Sequence, residues 1–384
     1  MPTGFATVTH NILAHLHRRW DAAVSGVNYD GAAHPFPYRI FPAWQGGDMW
    51  GMDRFAHVCA EFAPDAVVIN NDWWNVAGFL ERAPRGVPVI GYMPVDGTNM
   101  SRDITPKLDG LSAAVWYTGF GREQARLAGF RGRDHVVPHG IDTTIFRPVD
   151  RALARETLGL PADSFIVGNV NRNQPRKRLD VTIRYFAEWI ARRRVRDAFL
   201  LLHCARQDTG WDLAALAAHH GVADRVIFTG GEKMRDATDK GFMPLVYSAL
   251  DVQVSTTLGE GWGLTTMEGM ACGVPQIVPD WAALGEWSVS AIRIPCSTQL
   301  AHPEINTIGA LPDMLPFVEA LHDLYQNPRR RRLMSRQGLR LTASERFEWK
   351  NVAARMDTVI REVVESRRTR AAMKARRRTG VLAR

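Results

Sequence analysis

Short apolar runs rich in β-branched residues alternate along the chain with longer segments whose apolar positions recur at helical spacing. In the first half the runs are Ala66 to Asn70 (AVVIN), Val87 to Val95 (VPVIGYMPV), Ala113 to Thr118 (AAVWYT) and His135 to Pro138. In the second half they are Phe165 to Asn171 (FIVGNVN), Ala198 to Cys204 (AFLLLHC), Arg225 to Gly230 (RVIFTG), Asp251 to Thr257 (DVQVSTT) and Val274 to Pro279 (VPQIVP). Continuous apolar runs without polar alternation predict parallel strands buried on both faces. Between them, Leu179 to Arg193 sets Val181, Ile183, Tyr185, Phe186, Trp189 and Ile190 largely on one helical face. Strand followed by helix, repeated, implies right-handed crossovers and doubly wound sheets. The series occurs twice, with a break around Pro138 to Leu160, so the expected class is α/β, with two Rossmann-like domains facing a cleft. The expected boundaries are an N-terminal, acceptor-side domain over 1–148, a donor-binding domain over 149–346, a C-terminal helix over 347–365 and a tail over 366–384. Val352, Met356, Val359, Ile360, Val363 and Val364 stand at helical spacing in the third of these, which predicts a docked helix.

Composition adds limits. A chain of 384 residues exceeds what one hydrophobic core usually serves, and 46% apolar with 23% charged residues is ordinary for a folded protein. The net charge of +8 suggests a nucleic-acid partner until it is located. Eight Lys or Arg and no acid fall within 366–384, and the remainder balances at 40 basic against 40 acidic residues. The excess is therefore one tail, expected to be a solvated, poorly ordered end. Attraction to anionic lipid or nucleic acid is the sharper alternative for the tail, although no nucleic-acid partner is expected for the protein. Cys59, Cys204, Cys272 and Cys296 are widely spaced and include no CxxC pair, so neither a zinc site nor a disulfide framework is indicated. With no apolar run of about 18 residues and no leader pattern, the expected location is cytoplasmic, at most peripheral to the inner face of the membrane.

The chemistry-bearing segment is Gly259 to Pro275, GEGWGLTTMEGMACGVP. A strand ends near Thr257, a glycine-rich loop follows, and a helix starts near Leu264. Gly261 and Gly263 permit positive φ and close backbone approach. The helix start offers N–H groups and the positive end of its dipole to a diphosphate. Glu260 lies in the loop and Glu268 about one turn into the helix, and carboxylates accept hydrogen bonds from sugar hydroxyls. A second basic element, Asn171 to Leu179 (NRNQPRKRL), follows a strand end. Its Arg172 and Lys177 suit a clamp on a diphosphate, against the bland reading of a solvated basic loop; Arg176 and Arg178 are neighbours of unassigned role.

The string GEGWGLTTMEGMACGVPQIV resembles the E-x7-E region of glycosyltransferase family 4 and its relatives of the GT-B fold. That resemblance implies that Glu260 contacts donor-sugar hydroxyls near the reacting carbon and that Glu268 binds the nucleotide ribose. Gly261, Gly263, Leu264 and Thr265 would then face the donor, and Arg172 with Lys177 would neutralise the departing diphosphate. It further implies a retaining transferase taking a nucleotide diphosphate sugar, with a glycan, lipid or small molecule as acceptor. No cofactor is expected, and no DxD-type pair after a strand marks a metal site. The segment Val137 to Pro148 (VPHGIDTTIFRP) resembles the family's domain junction, where His139 either lines the cleft or shapes a turn.

Pro2 to Ile12 (PTGFATVTHNI) looks like the family's loop after the first strand, where the backbone near Gly4 meets donor phosphates or acceptor. The strand that should precede it is missing, which raises the expectation of a native start upstream of Met1 or of an unusual variant of the gene. Tyr92 to Pro94 stand where many family members carry a histidine. Asp96 is then a candidate to bond an acceptor hydroxyl or to stabilise a turn. Trp73, beside Trp74, either stacks on a sugar or packs the core. The competing functions are a sugar-nucleotide epimerase or phosphorylase of the same fold, and a non-catalytic nucleotide-sugar binder.

Overall fold

The computed structural model describes residues 3–43, 48, 50–232, 239–303 and 305–378. The chain divides into two compact units, one formed by residues 1–95, 100–139 and 349–384, the other by residues 96–99 and 140–348.

In the first unit, β1 (Ala23–Gly26) and β2 (Arg39–Pro42) form a parallel pair. Strands β3 (Val67–Asn70), β4 (Val89–Met93), β5 (Ala113–Trp116) and β6 (Asp134–Val136) form a parallel sheet in the order β3-β4-β5-β6. All five residues of β4 and all four of β5 are buried, as a strand covered on both faces requires. The core beside them is built on Trp73, Val76, Phe79, Leu108 and Trp116.

The second unit holds six parallel strands: β7 (Phe165–Val170), β8 (Ala198–His203), β9 (Val226–Phe228), β10 (Val252–Val254), β11 (Gln276–Pro279) and β12 (Ile292–Ile294). Their order is β12-β11-β10-β7-β8-β9. From β7 the chain winds outward through β8 and β9, and from β10 it winds the other way through β11 and β12. The reversal lies between β7 and β10, and in sheets of this kind ligands bind beyond the carboxyl ends of the strands at that point. An antiparallel hairpin of β13 (Thr298–Ala301) and β14 (Ile308–Leu311) completes the unit.

All nine runs picked out by hydrophobicity are strands, and the amphipathic stretch is the helix Leu179–Arg193. Asp180 in its first turn and Arg192 and Arg193 in its last complement the helix dipole. The division between units falls at 139/140 rather than at 148. Residues 96–99 join the second unit because Thr98 exchanges backbone hydrogen bonds with Ile308 at 3.0 and 2.9 Å. The four cysteines are free, and Cys59, Cys204 and Cys272 are buried.

Two expectations are corrected. Gly4 opens the helix Gly4–Leu16 instead of lying in a loop, because the Thr3 hydroxyl caps that helix by accepting from the Ala6 N–H at 3.1 Å. Likewise, the last helix does not stop at 365 before a disordered tail but runs from Trp349 to Arg378. Its extension is rich in Ala, Arg, Lys and Met, which lose little on entering a helix, and Arg367 donates to the Asp65 carbonyl at 2.7 Å. The remainder of the expected tail, 379–384, lies outside the described residues. No described helix is long and apolar enough to cross a membrane.

The register of β7 against β10 depends on a buried ion pair. Asp251, at the start of β10, accepts from Arg155 at 2.8 Å, from Arg151 at 2.6 Å and from the Ile166 N–H of β7 at 2.9 Å. Removing one partner of such a pair leaves an uncompensated buried charge. Asp251→Ala is therefore expected to destabilise the second unit by about 3–5 kcal/mol, read from the urea midpoint at constant m-value.

Candidate functional site

Two loops meet beyond the carboxyl ends of β7 and β10. The β7 loop turns at Pro175–Lys177, a short 3-10 segment whose exit residue Arg178 has left-handed backbone at φ 52°. The β10 loop runs from Ser255 to Gly263 and enters the helix Leu264–Ala271. They are tied together by backbone and hydroxyl bonds: the Leu258 N–H donates to the Arg176 carbonyl at 2.9 Å, and the Thr256 hydroxyl to the Arg178 carbonyl at 2.7 Å. Beneath them, Asn171 donates to Asn169, which donates to Thr182, whose hydroxyl bonds that of Thr256 at 2.6 Å. Such a satisfied buried network fixes the loops rather than merely tolerating them.

On this base stands a charged cluster. Glu260 is 7% exposed, with Lys177 Nζ 2.5 Å from its Oε1 and Arg176 Nη1 3.3 Å from its Oε2. Arg176 also donates to the Gly259 carbonyl, and its Nε lies 3.2 Å from Asp96 Oδ2. Burial pushes the Glu260 carboxyl up, but Lys177 and Arg176 outweigh it and hold it below the ordinary glutamate value. Burial pulls the Lys177 ammonium down against the opposing pull of Glu260. Asp96 is raised by burial and by the nearby Glu260, with Arg176 opposing. The result is an ionised carboxylate shared by two cations in a largely water-excluded setting, where charges act strongly.

The glycines have separate reasons. A side chain at Gly259 would place its Cβ 1.8 Å from the Asp96 carbonyl oxygen, so the close approach of residues 96–99 demands glycine there. Gly263 caps the helix start at φ 91°, and a Cβ would press on Leu284 at 2.6 Å. Gly261, expected to share that backbone freedom, is not among the positive-φ glycines. Trp262 stacks on Trp287 at 5.2 Å, and the Trp287 indole N–H donates to the Trp262 carbonyl at 2.6 Å. These contacts pin the loop between Glu260 and the helix. Leu264 and Thr265, in the first turn, are half-buried.

Glu268 lies on that helix and accepts from the Tyr247 hydroxyl at 2.6 Å. Burial raises its carboxyl to about 7, with the Tyr247 bond opposing. It therefore titrates near neutrality, unlike Glu260.

The other sequence-predicted residues are placed differently. Arg172 does not reach Glu260; it forms a bidentate pair with Asp208 at 2.9 and 2.8 Å. Arg176, left unassigned from sequence, occupies the place beside Glu260. Its adjacency to Lys177 was the available signal, but only the 3-10 turn shows that both side chains reach one carboxylate. Asp96 belongs with this cluster rather than with the first unit. In the first unit, Trp73 is 1% exposed and packs edge-to-face on Trp74 at 5.2 Å, so it is a core residue and no wall for a sugar. His139 is 3% exposed among the rings of Tyr92, Tyr117 and Trp349. Burial lowers its imidazole to about 3, which favours the neutral ring. Gly4, at a helix start in the first unit, is exposed. Among the described residues no group of three or more His, Cys, Asp or Glu is placed to hold a metal ion.

Residues 163–295 match the profile of the family Glycosyl transferases group 1. The D-inositol 3-phosphate glycosyltransferase of Thermobispora bispora is 32% identical over 236 residues, covering 60% of this chain and 50% of that protein. That of Acidothermus cellulolyticus is 30% identical over 301 residues, covering 76% and 62%. The chain thus spans about half to three-fifths of the length of these relatives. Among solved structures, sucrose-phosphate synthase from Thermosynechococcus elongatus superposes with a TM-score of 0.73 at 19% identity, covering 93% of this chain and 92% of that one. Anabaena HepE in complex with UDP and glucose superposes with a TM-score of 0.71 at 16% identity, covering 94% and 97%. The chain therefore has the GT-B fold of these solved glycosyltransferases, and its residues 163–295 match Glycosyl transferases group 1.

Proposed function

We propose that this chain is a retaining glycosyltransferase that moves a sugar from a nucleotide diphosphate sugar to an acceptor hydroxyl without a metal cofactor. The observation that carries the reading is the buried Glu260–Lys177–Arg176 cluster beside the helix start at Gly263, at the reversal point of the second sheet. Breaking the bond between the anomeric carbon and the diphosphate puts negative charge on the leaving oxygens. Lys177, Arg176 and the N–H groups of the first helical turn supply fixed positive potential there, a form of catalysis that is often the largest single contribution. Arg172 then acts at a distance, if at all, since Asp208 holds it. Glu260, ionised by its two cations, accepts from donor-sugar hydroxyls and balances positive charge on the ring. Retention follows from attack by the acceptor on the face the diphosphate leaves, with a phosphate oxygen taking the proton. Glu268 accepts from the ribose hydroxyls. UDP is the favoured carrier, supported by its presence with glucose in HepE.

Lys177→Met is expected to lower kcat by about 10²- to 10³-fold, measured as UDP released from UDP-glucose and related donors with and without acceptor. Arg172→Met is expected to be far milder, and equal losses in the two variants would overturn the assignment. Conversion of the donor into a different nucleotide sugar in the absence of acceptor would favour the epimerase reading instead.

A second expectation concerns pH. The ribose hydroxyls need an ionised acceptor, and the Glu268 carboxyl of the free protein titrates at about 7. UDP binding followed by calorimetry should therefore tighten as pH rises through 7 and level off above it. In Glu268→Gln that pH-dependent component should vanish, leaving only the contribution of the phosphate.

A further inference from the structure

From sequence, Asp96 is a candidate to bond an acceptor hydroxyl; in the structure, residues 96–99 belong to the same compact unit as Glu260. Their backbone is fixed there at several points. Thr98 pairs antiparallel with Ile308 of β14, and the Asn99 side chain donates to the Asn306 carbonyl at 2.8 Å. A Cβ at Gly97 would stand 2.2 Å from the Ile308 carbonyl oxygen, so the segment lies directly on the hairpin. The β10 loop is tied to the same strand, since the Leu258 carbonyl accepts from the Ala310 N–H at 2.8 Å. In turn, the Leu258 N–H donates to the Arg176 carbonyl at 2.9 Å. Asp96, Arg176 and the β10 loop therefore share one backbone frame, the condition under which side chains hold a set geometry for a ligand.

On that frame the Arg176 guanidinium contacts two carboxylates through different nitrogens. Nη1 meets Glu260 at 3.3 Å, and Nε meets Asp96 at 3.2 Å. The two acids differ in what else holds them. Both oxygens of Glu260 are engaged, Oε1 by Lys177 and Oε2 by Arg176, and its side chain is 9% exposed. Asp96 is engaged through Oδ2; among the described residues its Oδ1 accepts no hydrogen bond, and the side chain is 28% exposed. An ionised carboxyl group has about four acceptor positions and no donor, so Asp96 keeps most of its capacity for a ligand.

Because both carboxylates contact one guanidinium, a sugar ring whose hydroxyls reach Glu260 has others within reach of Asp96. Two acceptor-only groups side by side select hydroxyl donors and oppose a further anion. Lys177 and Arg176 are matched by Glu260 and Asp96, and the diphosphate of a donor adds negative charge of its own. The cluster thus has no surplus cation to meet a carboxylate on the sugar, and like charges brought together in a partly buried place are costly. We infer that Asp96 determines specificity for the donor sugar: with Glu260 it accepts from the hydroxyls of a neutral hexose, and it repels a uronic acid at the same place. This inference rests on the reading of the second unit as a nucleotide-sugar site.

The test is calorimetric titration of chain 1–384 with two matched ligand sets: UDP, UDP-glucose and UDP-glucuronate, and GDP, GDP-mannose and GDP-mannuronate. In the set whose nucleoside diphosphate binds, the wild type should hold the neutral sugar nucleotide about tenfold or more tighter than the uronate. Asp96→Asn, which keeps the shape and removes the charge, should narrow that ratio by about threefold or more, mainly by admitting the uronate. Asp96→Ala should weaken the neutral sugar nucleotide by about tenfold, the worth of a hydrogen bond to a charged group, while the nucleoside diphosphate alone changes by less than about twofold. That retained binding also shows that the variant is folded. Equal losses for the nucleoside diphosphate and the sugar nucleotide would overturn the inference, because Asp96 would then act only by holding Arg176. So would a wild type that binds the uronate as tightly as the neutral sugar nucleotide. If the wild type binds neither UDP nor GDP, the nucleotide-sugar reading itself falls, and this inference with it.

Discussion

Glu260 stays ionised in a buried place only because two cations reach it from a different loop. Neither partner would be stable alone there, since a buried unpaired charge costs several kcal/mol. The pair therefore couples the β7 loop to the β10 loop, and much of the second unit serves to hold that coupling. The Asn169–Thr182–Thr256 network fixes the loop bases, Asp251 sets β10 against β7, and Trp262 on Trp287 pins the far end. The charges face the place where a parallel sheet reverses its winding and where backbone N–H groups converge.

The two glutamates of the motif show how environment separates like residues. Glu260 meets cations and is held below its ordinary value, whereas Glu268 meets a tyrosine hydroxyl and is raised by burial to about 7. Eight positions apart, they differ because one lies between two loops and the other on a helix facing Tyr247. Opposite shifts of neighbouring carboxyl groups leave one favoured as the anion by its cations and one sensitive to pH near neutrality.

The parallel strands of the first unit form two separate sheets among the described residues, β1-β2 and β3-β4-β5-β6. Parallel strands expose both a ladder of polar groups and two apolar faces when a neighbour is absent.

Much of the scaffold was legible in the sequence because parallel strands are buried on both faces and read as unbroken apolar runs; all nine such runs are strands. The short β1 (AVSG) and the largely exposed hairpin strand β13 (TQLA) escaped because they lack that signature. The motif Gly259 to Pro275 announced a glycine loop, a helix start and two carboxylates from local spacing alone. Which cations would meet Glu260 was not local information. Arg172 and Arg176 carry the same charge on one loop, and a 3-10 turn with a left-handed exit at Arg178 sends Arg176 inward while Asp208 captures Arg172. Asp96 joined the cluster through the pairing of Thr98 with Ile308, some two hundred residues away in sequence. Trp73 and His139 were ambiguous because an aromatic ring serves a core and a binding wall equally well. The sequence by itself determined the nine apolar strands, their alternation with helices and the glycine loop before the helix Leu264–Ala271, since these follow from periodicity and backbone chemistry. Only the tertiary structure decided which charges share a site, because that depends on contacts between segments distant in the chain.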